Sequence, residues 1–297
     1  IRTAYLAGDG GVRVPVGATL VRHSVPEHEV AETHAKSAGV LSAFTAEPAG
    51  AASASAEPAG GTRLPPGIAD DPEVCAALAV RNAALAGFWL EEQGDRPVPG
   101  LVGRRALVVD AGDAWTAMLA HALRRLGMTA RVERWDAVGP GEIERADLLV
   151  AGPGPGDPRD VTDPRIGALR GVVASRLDSG RPLLAVCLSH QILCALMGLR
   201  VEPLPASFQG TQRVVPVFGR RARVGFYNTF TARSGAVPPG VRVWTAEPGS
   251  DEVVALDAEK VASVQFHLES VLSPDGVGLL AELAATLVAG PGPVPRG

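Results

Sequence analysis

Between Arg104 and Cys187 short apolar runs alternate with helix-patterned stretches, and this alternation constrains the fold more than any other feature. ALVVD (106–110), TARVERW (129–135), ADLLVAG (146–152) and PLLAVC (182–187) read as strands. WTAMLAHALRRLG (115–127) and IGALRGVVASRLDSG (166–180) read as helices, the first closed by Gly127. Strands this continuously apolar need cover on both faces, and strand–helix–strand units pair their strands in parallel. The expected fold class is α/β, with a doubly wound, mainly parallel sheet. Residues 200–266 read as several short strands (RVVPVF, RVGFYNTF, VRVWTAE, EVVALD, VASVQF), expected as antiparallel additions. GVGLLAELAATLVAG reads as a closing helix.

The first hundred residues follow another pattern. IRTAYL (1–6) and GVRVPVGATLV (11–21) flank a Gly-rich turn and read as a hairpin. Ser24-Val25-Pro26-Glu27 opens a helix running to about Phe44, with Ser24 as N-cap. Residues 46–68 are Ala, Gly, Pro and Ser with almost no large apolar side chain, the composition of a flexible linker. Residues 70–93 read as one helix with an apolar stripe through Val74, Leu78, Leu85 and Leu90. The expected organisation is an incomplete α+β segment over 1–45, a linker over 46–69, a linker helix over 70–103, a main domain over 104–291 and a tail over 292–297. Ile1 falls inside a strand-like run, so the hairpin and helix over 1–45 are expected to lack most of their packing partners and to be poorly ordered or dependent on a partner. Of 28 basic residues only Lys36 and Lys260 are lysine, and each invites a specific reason.

Composition excludes several classes. With 297 residues, 46% of them hydrophobic, the chain can bury a sizeable core, so disorder throughout is excluded. A formal charge of −4 without a basic stripe argues against a nucleic-acid partner. No apolar run reaches the roughly 18 residues of a membrane helix, so no membrane partner is expected. Three cysteines, Cys75, Cys187 and Cys194, fit a reducing, cytoplasmic compartment.

Three local features carry chemistry. Cys187 lies where an apolar strand turns abruptly into a helix, so free backbone N–H groups and the helix dipole face it, favouring a thiolate and a developing oxyanion. Such turns need small neighbours, here Ala185 and Ser189. The plainer reading is a buried core cysteine, which is the expectation for Cys194 and Cys75. In SVQFHLES an extended backbone puts His267 and Glu269 on the same side, so that the carboxylate can orient the imidazole. A strand-end histidine beside a solvated glutamate is the alternative. His190 is better placed to pack behind the turn than to act as a base. AGPGPGDP (151–158) is a stiff loop exposing backbone N–H groups. It lacks the Gly-Lys-Ser/Thr of a phosphate loop and suits an oxyanion donor or an ordinary turn.

Taken in order, GPGPGDP, CLSHQ and QFHLES closely resemble the class I (triad) glutamine amidotransferases, over about residues 104–291. The resemblance implies that family's doubly wound fold and a Cys187–His267–Glu269 triad. It also implies oxyanion N–H groups from Gly154 and Leu188, and a glutamine-holding role for Gln191. Most members carry Gly at the positions of Ala185 and Ser189, and Pro at that of Leu268.

IRTAYL, VGATLV and EVAETHAK resemble the end of the chorismate-utilising synthase fold. There Arg2 matches a carboxylate-binding arginine, Gly17 and Ala18 a turn whose amides hold a carboxylate, and Lys36 a pocket lysine. Glu32 matches a Mg²⁺-binding glutamate, with Glu29 one helical turn earlier; Mg²⁺ would serve the complete synthase, and the amidotransferase would need no cofactor. The fused order resembles phenazine-pathway 2-amino-2-deoxyisochorismate synthases. An anthranilate synthase component and a non-catalytic docking module are the alternatives. The implied partners are glutamine, chorismate and a synthase domain, in a homodimer when complete. This chain alone would hydrolyse glutamine without converting chorismate.

Overall fold

The computed structural model describes residues 4–7, 9–17, 26–45, 71–92, 94 and 96–289, which divide into two units over 1–79 and 80–297. In the first unit β1 (Tyr5–Leu6) pairs antiparallel with β2 (Val12–Arg13), and α1 spans Pro26–Thr45. The hairpin and helix expected from sequence are therefore present, with short strands; Ser24 lies outside the described residues, as does the 46–69 linker. α2 (Pro72–Asn82) begins on Asp71, whose carboxylate accepts from the N–H groups of Glu73 and Val74 at 2.8 and 3.1 Å. The expected single helix over 70–93 ends there. A turn at 83–86 separates α2 from α3 (Gly87–Leu90). No residue of α2 is buried, so Cys75 is exposed rather than a core cysteine.

The segment from Ala84 to Gly103 is strapped to the larger unit. Ala86 is buried and its N–H donates to Val271 O; Gln212 Nε2 donates to Ala84 O; Val98 N–H donates to Leu126 O; and Leu101 is fully buried. It is thus part of that unit's packing, where sequence placed a separate linker helix.

The larger unit runs β3 (Arg105–Asp110), α4 (Trp115–Arg125), β4 (Thr129–Arg134), α5 (Pro140–Arg145), β5 (Leu148–Ala151), α6 (Pro164–Asp178), β6 (Leu183–Val186) and α7 (Leu188–Leu196). It continues through β7 (Arg200–Pro203), β8 (Thr211–Val217), β9 (Arg220–Phe226), β10 (Phe230–Arg233), β11 (Arg242–Thr245), β12 (Glu252–Ala258), β13 (Val261–Val264) and α8 (Gly276–Ala289). The central sheet has the order β4-β3-β5-β6-β13-β12-β10-β7, with β11 also on β12. The first four steps, β4 to β13, are parallel, and those beyond β13 antiparallel.

Two expectations change here. β13 joins the sheet in parallel with β6, because the tight β12–β13 hairpin returns the chain to the open edge of β6. β8 and β9 form a separate antiparallel ribbon, and the expected strand RVGFYNTF is broken into β9 and β10.

The alternation of side chains explains the double winding. Ala106, Val108, Leu148, Val150, Leu184 and Val186 face α4 and α8; their neighbours Leu107, Val109, Leu149, Ala151, Leu183 and Ala185 face α5, α6 and α7. Because α4 covers one face and α5 the other, the winding reverses between β3 and β5. The loops after β3, β5 and β6 therefore open at one sheet edge, the usual position of a ligand cleft in such folds. Among the described residues no helix is long and apolar enough to cross a membrane.

Both lysines have a local reason. Lys36 Nζ donates to Gly17 O at 3.1 Å in the small unit, and Lys260 Nζ to Leu287 O at 3.4 Å, near the end of α8.

Candidate active site

A cavity of about 360 Å³ lies at that sheet edge, and Cys187, His267, Gly154, Leu188 and Gln191 all line it. Cys187 is the hinge between β6 and α7. Its N–H still donates to Val264 O at 2.8 Å, continuing the sheet ladder, while its carbonyl accepts from Gln191 N–H in the first turn of α7. The backbone turns within one residue, at φ 53° and ψ −104°. A side chain rarely adopts that conformation, so the nucleophile position holds strain of about 1–3 kcal/mol. Ala185 and Ser189 are fully buried on either side, and Ser189 Oγ donates to Gly152 O at 2.8 Å, tying the helix to the Gly-Pro loop.

His267 and Glu269 are both buried, and Nδ1 of His267 lies 2.7 Å from Glu269 Oε1. That bond fixes the ring and leaves Nε2 for the thiol of Cys187, which lines the same cavity. Burial opposes charge on the ring, but the Glu269 carboxylate and the Cys187 sulfur outweigh it and hold His267 protonated well above the usual imidazole range. Glu269 Oε2 is buried without a partner among the described residues, so His267 alone answers that carboxylate. Trp115 and Tyr227 flank the imidazole edge-on, at centroid distances of 5.3 and 5.1 Å. Tyr227 is itself held through its hydroxyl, 2.9 Å from Ser270 Oγ.

The loop after β5 packs hard against the end of β3. A side chain on Gly154 would place its Cβ 2.5 Å from Ala111 Cβ. The N–H groups of Gly154 and Leu188 have no acceptor among the described residues, and both residues line the cavity beside Cys187. Gln191 is more constrained than sequence indicates. Its Nε2 donates both to Phe230 O at 2.7 Å and to Gln265 Oε1 at 2.9 Å, so only Oε1 remains for a ligand. Asn228 is similar: Nδ2 donates to Phe230 O at 2.8 Å, and buried Oδ1 has no partner among the described residues.

The structure thus brings together Cys187, His267, Glu269, Gly154, Leu188 and Gln191. Trp115, Tyr227, Asn228 and Gln265 complete the site, although sequence does not single them out. Of these only Gln265 leaves a signal: Ser263, Gln265, His267 and Glu269 alternate with the core residues Val264, Phe266 and Leu268. In the smaller unit Lys36 and Gly17 meet, Glu29 and Glu32 lie one turn apart along α1 with side chains outside the described residues, and Arg2 and Ala18 also lie outside them. Among the described residues no cluster of three or more His, Cys, Asp or Glu side chains could hold a metal.

The family model "Glutamine amidotransferase class-I" matches residues 107–286. The chain belongs to the class I glutamine amidotransferases. This amidotransferase is 39% identical over 290 residues to "Anthranilate synthase, phenazine specific" of Pseudomonas fluorescens, covering 95% of this chain and 43% of that protein. It is 32% identical to anthranilate synthase component 2 of Mycobacterium tuberculosis, over 60% of this chain and 80% of that one. The crystal structure of a putative GMP synthase protein from Thermoplasma acidophilum shares the fold at a TM-score of 0.52 and 18% identity, over 63% of this chain and 95% of that one. The chain spans less than half the length of the phenazine-specific relative.

The remaining cysteine and histidine near the amidotransferase turn serve packing. Burial drives the Cys194 thiol's pKa up, and His190 bonds Ser263 Oγ at 2.8 Å from a fully buried position. Burial pushes the His190 pKa down from 6.5 to about 4. An unfolded chain binds this proton near 6.5, whereas the folded chain refuses it until about 4. Stability should therefore fall as pH drops through that window, by about 3 kcal/mol if no other group compensates. Urea midpoints at pH 7 and pH 5 test this. His190→Gln should narrow the gap between them, and a gap of unchanged size would refute the assignment.

Proposed function

We propose that the chain is the glutamine-hydrolysing part of a synthase that passes ammonia to chorismate, of the 2-amino-2-deoxyisochorismate type. The observation that carries the first half is the closed arrangement of Cys187, His267 and Glu269 beneath two N–H groups without acceptors among the described residues. The Cys187 thiolate attacks the side-chain carboxamide of glutamine, and the oxyanion is met by Gly154 and Leu188 N–H. His267 Nε2 gives its proton to the leaving nitrogen. The C–N bond breaks, ammonia departs and a γ-glutamyl thioester remains. Water, deprotonated by the same imidazole, cleaves the thioester to glutamate and returns the thiolate. Glu269 keeps the ring in the tautomer that serves both transfers.

The pocket reads the other end of glutamine as well. Gln191 Oε1 and Asn228 Oδ1 are acceptors without donors among the described residues, which suits the α-ammonium group. Asn228→Leu should raise KM for glutamine about tenfold with kcat little changed, because the contact is the same in ground and transition states. A fall in kcat at unchanged KM would show that the residue serves the chemistry instead.

The chorismate half is supported by the likeness to the phenazine-specific relative, which extends over 95% of this chain and so includes residues on both sides of the 46–69 stretch. In this reading Arg2, Gly17, Ala18 and Lys36 belong to a chorismate site completed by a synthase domain, and the complete enzyme is a homodimer. Mg²⁺ would be held by the carboxylates of Glu32 and Glu29, hard oxygen donors suited to it, and would assist loss of the chorismate hydroxyl. An anthranilate synthase component is the second reading, favoured by the name of the Mycobacterium tuberculosis relative. Glutamate release, measured with and without a synthase partner, tests the first half; no release in either case would leave only a docking role. Products formed by the longer protein from chorismate, glutamine and Mg²⁺ separate aminodeoxyisochorismate from anthranilate.

A further inference from the structure

We propose that Gln265 is a further catalytic residue, whose side-chain N–H donates to the Cys187 sulfur and holds it as the thiolate. This rests on Cys187 being the nucleophile. Gln265 is fully buried, and its Nε2 lies 3.7 Å from Cys187 Sγ, within hydrogen-bonding reach for sulfur.

The orientation of its amide is fixed from a distance. Phe230 O is a backbone carbonyl and can only accept, so the nitrogen of Gln191 must face it, at 2.7 Å. The second hydrogen of that nitrogen goes to Gln265 Oε1 at 2.9 Å. With its oxygen committed, Gln265 has only Nε2 to turn toward the sulfur. No flip of either amide satisfies Phe230 O and keeps the chain of bonds intact. The strand pattern independently aims the side chain, since Gln265 shares the face of His267 while Val264 and Phe266 enter the core.

A neutral thiol is a weak acceptor and a thiolate a strong one, so this donor stabilises the anion selectively. The amide is a donor that never gives up its proton, whatever the protonation of His267. When the thioester breaks, His267 has taken a proton from water, and Gln265 supports the departing thiolate beside the imidazolium. Gln191 has a second role in this arrangement. Besides presenting Oε1 to glutamine, it orients the donor of the nucleophile, and so links substrate recognition to the thiolate.

The test is the pH dependence of Cys187 alkylation by iodoacetamide, read by peptide mass in a Cys75→Ser background that removes the exposed thiol. Gln265→Met keeps the length and removes the donor. Gln265→Glu keeps the acceptor for Gln191 and replaces the donor with a charge. We expect the alkylation midpoint to rise by about one unit in Gln265→Met, a tenfold loss of thiolate at a fixed pH below it, and further in Gln265→Glu. kcat for glutamate release should fall about tenfold, with KM little changed. Folded variants that alkylate with the parent midpoint would overturn the proposal and leave Gln265 a packing residue.

Should neither variant fold, the parent protein decides. The side-chain amide resonance of Gln265 should move with the midpoint of thiolate absorbance, and a resonance constant across that range refutes the contact. Failure of the underlying assignment looks different: glutamate release would then survive Cys187→Ala, whatever Gln265 does.

Discussion

Cys187→Ala should abolish glutamate release, with a loss of about 10⁴-fold or more. The methyl group cannot form the thioester, and nothing in the cavity replaces it. Cys194 is fully buried among apolar side chains of α7, with its pKa driven up. Residual turnover would have to come from water attacking a glutamine held under Gly154 and Leu188, which the triad template suggests is slow. A second variant makes the prediction structural as well as kinetic. Position 187 has φ 53°, a conformation that costs any residue with a Cβ and costs glycine nothing. Cys187→Gly should therefore be equally inactive but more stable than Cys187→Ala, by about 1 kcal/mol. Glycine ordinarily destabilises relative to alanine, so the inverted order is a specific signature of strain at the nucleophile. Thermal melts of the two variants read it directly. Alanine at or above glycine in stability would mean that the turn is relaxed.

Much of this site is visible in the chain of letters because its parts obey local rules. The elbow shows as an apolar strand that changes period at Cys187, and the Gly-Pro loop as a run that cannot continue either β5 or a helix. His267 and Glu269 show as a pair two residues apart, although the segment read as extended turns at 268–269, with Ser270 N–H donating to His267 O, and still brings the carboxylate to the ring. The double winding follows from strands apolar on both faces. What escapes the sequence depends on pairing between distant segments. β13 reads as an antiparallel addition because its own four residues say nothing about β6, to which it is bonded only after the β12 hairpin brings it back. The strands β9 and β10 read as the single strand RVGFYNTF, which breaks at Asn228, its side chain bonded to Phe230 O. Val74 and Leu78 have the spacing of a buried stripe, yet α2 buries none of its residues, so helical period alone does not reveal whether a partner exists. The aromatic walls Trp115 and Tyr227 come from the start of α4 and the loop before β10, and no local pattern places them against His267.

Gly154→Ala should cost kcat about 10²-fold, with KM for glutamine nearly unchanged. The added Cβ would lie 2.5 Å from Ala111 Cβ, 2.9 Å from Ala111 O and 3.1 Å from Leu188 Cδ2. Ala111 is fully buried where β3 ends and has nowhere to retreat. The loop must therefore shift away from β3 and take the residue-154 N–H off the position an oxyanion would occupy. The donor acts on charge that exists only in the tetrahedral state, which is why the loss should fall on kcat. The same crowding should destabilise the fold by about 1–3 kcal/mol, so a rate loss by itself could reflect a damaged scaffold. A second substitution separates the two. Ala111→Gly removes the closest of the three contacts, and the carbonyl at 2.9 Å remains. In the Ala111→Gly/Gly154→Ala protein, rate and melting temperature should both recover in part, beyond the sum of the single effects, because the residues share one contact. Recovery of stability without recovery of rate would place the oxyanion donor elsewhere. A single Gly154→Ala protein with the parent's kcat would remove Gly154 from the mechanism and leave Leu188 N–H at the head of α7 as the donor.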